Sequence, residues 1–339
     1  MRRTGIHFAG KCSKAKSSNI PLDDLSGNDG LGQFMSDTED IPFNRDFPLK
    51  PGVAEEVMPG VRRVLCDNPG PFTFTGTVSY IVGRGKVAII DPGPDSEAHA
   101  RALLDAVRGE TVTHIFVTHT HKDHSPNAAR IKAATGARVY AEGPHRASRP
   151  RFESEKHKPE SGADRGFDPD VRLGDGDGVT GEGWALEAVT TPGHTVNHMA
   201  FAWKDRSVLF AGDHVMGWST SIVAPPDGSM TDYMASLEKL SMRDEHLYFA
   251  GHGPEIRDAP RFVRFLARHR RAREVSILHR LAKGEADIAT LVRAIYIGLD
   301  SRLSGAAGYS VLAHLEDLVA RGLVLTDGDP VIEGRYWLA

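Results

Sequence analysis

Short apolar runs, bounded by glycine and proline, recur along the chain from about residue 53 onward. Runs of this kind are typical of β-strands, and they predict strands over residues 76–83, 86–91, 114–119, 137–141, 184–190, 198–203, 207–211 and 246–249. Between several of these strands, apolar residues recur at helical spacing, which predicts helices over residues 96–107, 128–134 and 231–242. The alternation of strands with helices predicts an α/β layered fold.

Beyond Pro260 the pattern changes to helices, predicted over residues 261–283, 288–297 and 309–321. Two short apolar runs, 323–326 and 331–338, follow around a Gly328-Asp329 turn. Three helices and a terminal hairpin outline a winged-helix unit. We therefore predict a main domain over 46–260 and a small winged-helix domain over 261–339. Residues 1–45 show little periodicity and are predicted to be a disordered N-terminal extension.

Composition agrees with a folded chain of more than one domain. The 339 residues exceed the usual ~100–200 per domain, and 40% hydrophobic with 25% charged residues are ordinary globular values. A net charge of -4 gives no overall cationic field for nucleic acid. With only two cysteines, the chain has no disulfide framework. It contains no apolar stretch of the length that a signal peptide or a membrane span needs. We expect a cytoplasmic protein without a membrane partner.

The run 118–124, directly after the predicted strand at 114–119, contains three histidines and an aspartate, His119, His121, Asp123 and His124. A tight loop after a strand aims several side chains at one point, and zinc prefers imidazole nitrogen and carboxylate oxygen as ligands. One loop cannot complete such a site. His194, Asp213 and His252 are the further candidates, because each follows an apolar run and stands beside a glycine that permits close backbone approach.

The order His119-x-His121-x-Asp123-His124, followed by His194, Asp213 and His252, resembles the metallo-β-lactamase superfamily over about residues 53–261. The resemblance implies an αββα sandwich and two metal sites. It implies that the first metal is held by His119, His121 and His194. It implies that Asp123, His124 and His252 hold the second metal and that Asp213 bridges both.

Three further residues are expected to support the ligands without binding metal. Asp91, in an Asp-Pro-Gly turn, matches the superfamily position that supports the histidine loop. His198 and His214 are weaker candidates for the metal, and we expect them to orient a ligand ring.

Finer features resemble the β-lactamase-like protein 2 family, which includes an endoribonuclease acting on single-stranded RNA. They are the runs 68–73, 76–77 and 212–218 and the winged-helix tail. Where that family has Gly-Thr-Asn-Thr-Tyr, this chain has Gly-Thr-Val-Ser-Tyr at 76–80 and so lacks an amide that would face the site.

The predicted function is hydrolysis with two zinc ions per chain. Two adjacent metals lower the pKa of a bridging water towards ~7 and stabilise the oxygens that gain charge. In this hypothesis a metal-bridging hydroxide attacks a carbonyl carbon or a phosphorus atom. Asp123 is the predicted catalytic residue, which orients the water or takes its proton.

The substrate is either RNA or a small molecule with a thioester, ester or lactam bond. Six arginines of the first winged-helix segment, Arg261, Arg264, Arg268, Arg270, Arg271 and Arg273, offer phosphate contacts, although a solvated helix face is the simpler interpretation. A long irregular segment over 143–177 carries Arg149 and Arg151, which we predict to contact an anionic substrate.

Two alternatives belong to other functional classes. A mononuclear iron oxygenase would need one metal and would leave Asp123, His124 and His252 unused, so the filled ligand set argues against it. A winged-helix nucleic-acid-binding regulator would make the metal site vestigial. The winged helix also has a structural interpretation, in which it packs on the main domain or on a second subunit of a homodimer.

Overall fold

The computed structural model describes residues 41–155 and 162–339. A seven-stranded sheet holds strands β1 to β7 in sequence order. These strands span Ala54–Met58, Val61–Leu65, Val78–Val82, Lys86–Ile90, Thr111–Phe116, Arg138–Ala141 and Val171–Arg172. Strands β1 to β4 pair antiparallel and β4 to β7 pair parallel. Helices α1 (Glu97–Ala106) and α2 (Asn127–Thr135) make the crossovers that the parallel pairs β4–β5 and β5–β6 require.

A five-stranded sheet lies in the second half of the main domain, with the strand order β12-β11-β10-β9-β8. Its strands span Gly178–Gly181, Trp184–Thr190, Met199–Trp203, Val208–Gly212 and Leu247–Ala250. Strand β12 joins β11 in parallel after helix α3 (Met230–Ser241). Ser229 begins this helix, because its side chain accepts a hydrogen bond from the backbone N–H of Asp232.

Side chains of successive strand residues point into different layers. In β3, Tyr80 and Val82 belong to the core between the two sheets, whereas Ile81 packs with Leu103 and Ile131 of α1 and α2. A third core joins the outer face of the second sheet to α3 and to helix α4 (Ala259–Leu281). The layers therefore run helix, sheet, sheet, helix, and the predicted αββα sandwich is confirmed.

The C-terminal part consists of helices α5 (Ile288–Ile295) and α6 (Ser304–Ala320) with a small sheet ordered β13-β15-β14. The sheet strands are Ala286–Asp287, Val324–Thr326 and Arg335–Leu338. With the end of α4, these elements surround a fourth core, and the predicted winged helix is confirmed. Helix α4 contributes to both neighbouring cores, so the boundary at residues 260/261 stays a prediction.

Strands β1 and β2 were not predicted. Two adjacent arginines interrupt the apolar pattern of β2, and one of them, Arg63, forms an ion pair with Glu55 of β1 at 2.7 Å. Cross-strand charge pairs of this kind stabilise a half-exposed sheet edge without an apolar signature.

The prediction that residues 1–45 form a disordered extension is wrong for its last residues. Phe43 packs against Phe262 of α4 with ring centroids 6.1 Å apart, and the backbone N–H of Asn44 donates to Gly217 O at 2.9 Å. Residues 1–40 lie outside the described part of the chain. Among the described residues, no helix is long and apolar enough to cross a membrane.

Candidate metal centre

The seven predicted ligands follow four strands. His119, His121, Asp123 and His124 follow β5, His194 follows β9, Asp213 follows β11 and His252 follows β12. Although they come from distant parts of the sequence, their side chains meet in two groups, within each of which the ligand atoms lie within 4.8 Å of one another. His119, His121, His194 and Asp213 form the first group, and Asp123, His124 and His252 form the second.

In the first group, three imidazoles face one another. His121 Nδ1 lies 3.0 Å from His119 Nε2 and 3.0 Å from His194 Nε2. Two ligands that each lie ~2.0–2.1 Å from a tetrahedral zinc are themselves roughly 3.3 Å apart. The spacing of these nitrogens therefore fits a metal ion between them.

In the second group, Asp123 Oδ2 lies 3.3 Å from His124 Nε2 and 3.2 Å from His252 Nε2. The two imidazole nitrogens are 3.4 Å apart. One carboxylate oxygen and two imidazole nitrogens thus converge on a second point.

Asp213 lies between the groups. Its Oδ2 is 3.9 Å from His119 Nε2 and 3.8 Å from His194 Nε2 on one side, and 3.2 Å from His252 Nε2 on the other. Its Oδ1, 3.4 Å from His124 Nε2, is buried without a hydrogen-bond partner among the described residues. A buried carboxylate oxygen left in this way fits a metal ligand, because an unsatisfied charged oxygen is otherwise unfavourable.

The outer nitrogens of four rings are held by acceptors. His119 Nδ1 contacts Thr118 Oγ1 at 3.0 Å, His194 Nδ1 contacts Ile222 O at 2.6 Å, and His252 Nδ1 contacts Gly76 O at 3.2 Å. His124 Nδ1 contacts Asp91 Oδ2 at 2.9 Å. With its proton on Nδ1, each ring turns the lone pair of Nε2 inward, as a metal ligand must.

The electrostatic environment differs between the two groups. Burial, followed by the charge of His194, lowers the pKa of His121 to about 3, so this ring is neutral at pH 7 and able to ligate. Burial acts to lower the pKa of His252 as well, but the carboxylates of Asp213 and Asp123 raise it to about 10. The two carboxylates therefore stabilise positive charge in the second group, and the same carboxylates would stabilise a metal dication there.

Asp91 lies below the histidine loop, where the resemblance placed it. Its Oδ1 accepts from the backbone N–H of Thr118 at 2.7 Å, and its Oδ2 accepts from Thr118 Oγ1 at 2.7 Å. Since Oδ2 also contacts His124, one carboxylate orients a ring of the second group directly and His119 of the first group through Thr118.

The two supporting histidines differ. His198 Nε2 accepts from the backbone N–H of Asp213 at 3.2 Å, while its Nδ1 contacts Thr191 Oγ1 at 2.7 Å, so it positions the backbone of Asp213. The expectation that His214 orients a ligand ring is wrong. Its buried ring packs on Tyr233 at 4.5 Å, and neither ring nitrogen has a hydrogen-bond partner among the described residues.

Thr77 and Asn68 position Asp123, a role that was not predicted for them from the sequence. Thr77 Oγ1 donates to Asp123 Oδ2 at 3.1 Å and accepts from Asn68 Nδ2 at 3.0 Å. Asn68 Oδ1 in turn accepts from the backbone N–H of Thr77 at 2.8 Å. Both residues stood in the runs 68–73 and 76–77 that resembled a family pattern, which was the available signal.

We expect Thr77→Val to weaken binding of the second metal by about tenfold, the lower end of the effect of removing a residue that supports a ligand. Valine keeps the shape of threonine but cannot donate to Asp123. Competition with a chromogenic chelator measures the affinity. Thr326→Val is the matched control, because the Thr326 hydroxyl has no hydrogen-bond partner in the described structure. Equal affinities in the two variants would show that Thr77 does not position Asp123.

The predicted substrate contacts, Arg149 and Arg151, are engaged within the chain. Arg149 forms ion pairs at 2.6 Å with Glu155 and with Glu316 of α6, and it stacks on Phe152 at 3.9 Å. Arg151 lies 3.6 Å from Glu155. Because two carboxylates already compensate the Arg149 charge, this residue fastens the segment over 143–155 to the winged helix instead of presenting a free cation to substrate.

The arginines of α4 also differ from one another in their surroundings. Arg270 is buried, and Arg273 stacks on Tyr296 at 4.1 Å and donates to Ile295 O at 3.0 Å. Arg261 and Arg268 lie over the ring of Phe265. Arg270 and Arg273 are therefore engaged within the fold, whereas Arg261, Arg264, Arg268 and Arg271 are exposed on the helix.

Comparison with known families gives two matches. The family model described as the metallo-beta-lactamase superfamily matches residues 72–252, and the beta-lactamase associated winged helix domain matches residues 288–337. The chain is 30% identical over 244 residues to the atrochrysone carboxyl ACP thioesterase of Claviceps purpurea (strain 20.1), covering 70% of each protein. It is 31% identical over 235 residues to the beta-lactamase-like protein 2 homolog of Caenorhabditis elegans, covering 68% of this chain and 74% of that protein.

Solved structures share the fold over most of the chain. A beta-lactamase domain protein from Burkholderia ambifaria superposes with a TM-score of 0.70 at 24% identity, covering 87% of this chain and 97% of that one. A metallo-beta-lactamase family protein from Thermus thermophilus gives a TM-score of 0.67 at 24% identity, covering 84% of this chain and 100% of that one.

Proposed function

Because this chain belongs to the metallo-β-lactamase superfamily and is a metal-dependent hydrolase of that kind, we propose that it holds two zinc ions and hydrolyses an acyl thioester. The position of Asp213 is the observation that carries the metal count. Its two carboxylate oxygens reach ligand nitrogens of both groups, at 3.2 Å and 3.4 Å in the second group and 3.8 Å and 3.9 Å in the first.

Two metals held by these groups would supply a water of lowered pKa and would favour negative charge on the carbonyl oxygen of the substrate. In hydrolysis the C–S bond breaks, a C–O bond forms to the water oxygen, and the proton lost by water passes to the leaving thiolate. Asp123 is the residue placed to hold that proton. Burial acts to raise its pKa, but the charges of His124 and His252 keep the pKa well below its usual range, so the carboxylate is ionised before the reaction.

The choice of a thioester has support from the relatives and from the surface charge. Three of the relatives carry the name of an atrochrysone carboxyl ACP thioesterase. The alternative, single-stranded RNA, needs a basic track along which phosphates bind. Arg149 is instead paired with a carboxylate of this chain, Arg270 is buried away from the surface, and the net charge is -4.

We expect the zinc-loaded protein to hydrolyse N-acetylcysteamine thioesters with kcat/KM of about 10⁴ M⁻¹s⁻¹ or above, the lower range of typical enzymes. Thiol release is followed with a disulfide reagent, beside cleavage of a labelled single-stranded RNA and of a chromogenic lactam. Asp213→Ala is the control for contaminating activity. Cleavage of RNA that depends on Asp213, without thioester hydrolysis, would contradict the proposal.

A further inference from the structure

A cavity of about 240 Å³ lies where the loops before β3 and after β11 meet helices α4 and α6. Its volume is several times the ~30 Å³ share of one liquid water, so it has room for an organic group. The cavity has two kinds of wall. Phe72, Trp218 and Leu303 are among its apolar side chains, whereas Ser221, His269 and Arg270 make one polar end.

Arg270 is unusual among these residues, because it is only 2% exposed and forms no ion pair with a carboxylate among the described residues. Its guanidinium donates to Ser221 O and, at 3.3 Å, to Ser310 Oγ, and it lies 5.1 Å from the centre of the Tyr233 ring. Its Nε has no hydrogen-bond partner in the described structure. A buried cation without a counter-charge is unfavourable, which points to an anion supplied from outside the chain.

The surroundings of Arg270 do not compensate its charge. The nearby carboxylates of α4 and α6 already contact other groups: Glu274 and Asp317 pair with Arg321 at 2.7 Å and 3.0 Å, and Glu316 pairs with Arg149. Within the described residues, Nδ1 of His269, Nε of Arg273 and Nε2 of His314 also lack hydrogen-bond partners. At the polar end of the cavity, the charge of Arg270 is therefore uncompensated, and His269 Nδ1 and Arg270 Nε are hydrogen-bonding groups without a partner in the described structure.

The cavity shares a wall with the metal centre. Ser221, whose carbonyl accepts from Arg270, lies with its Oγ 3.3 Å from His194 Nδ1, and the next residue, Ile222, accepts from the same nitrogen at 2.6 Å. The loop over residues 221–222 therefore separates the two sites, and an acyl group bound in the cavity would have to pass this loop to place its carbonyl at the metals.

We propose that the cavity binds the acyl group of the substrate and that Arg270 binds a carboxylate at the far end of that acyl group. This inference rests on the proposed thioesterase function and names its substrate class, an acyl thioester with an apolar body and a terminal carboxylate. A guanidinium suits this role because its planar N–H groups match the geometry of a carboxylate.

The test compares dicarboxylic acyl N-acetylcysteamine thioesters, from succinyl to suberoyl, with their terminal methyl esters. For at least one chain length, the wild type is expected to prefer the free acid in kcat/KM by about 10- to 100-fold, as a hydrogen bond to a charged group predicts. Arg270→Met should bring this ratio to about 1, and Arg270→Lys should retain part of it. Arg271→Met, an exposed arginine of the same helix, should keep the preference of the wild type.

Two further measurements separate this inference from the thioesterase proposal. Ala307→Phe fills the cavity while leaving Arg270 in place, and it should lower the preference for the longer acids. Titration calorimetry with suberate and its dimethyl ester measures binding without turnover, and weaker suberate binding by Arg270→Met would support the site even if no thioester were hydrolysed. Thioester hydrolysis with equal rates for acid and methyl ester at every length would overturn the inference and leave the thioesterase function standing.

Discussion

Replacing Asp213 with alanine is expected to remove at least one of two metal ions per chain and to lower kcat/KM for a thioester by about 10³-fold or more. Asp213 is the carboxylate that approaches ligand nitrogens of both groups. Without it, Asp123 is the one carboxylate left in the two groups of described ligands, so two dications would share a single negative side chain. Elemental analysis after dialysis and steady-state kinetics measure the two effects.

Two controls make this result specific. Asp213→Asn keeps the shape and one oxygen ligand but removes the charge, so an intermediate metal content is expected. Asp105→Ala removes an exposed carboxylate that pairs with Arg108 at 2.5 Å and should change neither quantity. Full activity with two metals bound to Asp213→Ala would contradict the bridging role of Asp213. About one iron and no zinc in the wild type would contradict the two-metal assignment and favour the oxygenase alternative.

The sequence was sufficient to predict which loops come together, because each candidate ligand follows an apolar strand. Strands of one sandwich bring their ends together, so His119, His194 and His252 could be expected to meet although they are far apart in the chain. The same reasoning failed for His214. Its neighbour Asp213 points to the metal groups, whereas the ring of His214 packs on Tyr233, and adjacency in sequence does not decide which way a side chain points.

Contacts between residues distant in sequence were beyond prediction. The hydrogen bond from Thr77 to Asp123 spans 46 positions, and a threonine beside a strand is common in itself.

The burial of Arg270 differs from this case, because the local sequence contained a signal for it. Arg270 follows Val263 and Leu266 by seven and four residues on the buried face of α4, a position that is usually apolar, so burial could have been inferred from helical spacing.

Gly251→Ala is the second change with a large expected effect, although it removes no ligand. A Cβ atom at residue 251 would lie 2.3 Å from Asp213 Oδ1 and 2.7 Å from His124 Cε1, closer than non-bonded atoms approach. The backbone at residue 251 does not have a positive φ, so alanine causes no conformational strain there. The effect should therefore fall mainly on Asp213 and His124, with a smaller one on the backbone of Gly212, whose carbonyl carbon lies 3.3 Å from the added Cβ.

A displacement of about 1 Å at a catalytic group reduces activity by about 10²-fold, and we expect Gly251→Ala to lose at least that much in kcat/KM together with tight binding of the metals. Chelator competition and kinetics measure both losses. Gly178→Ala is the matched control, because no atom lies within 4 Å of a Cβ built at that strand residue. If Gly251→Ala keeps both metals and its turnover stays within about threefold of the wild type, Asp213 and His124 can move without loss, and the close approach of this glycine is not what holds the centre together.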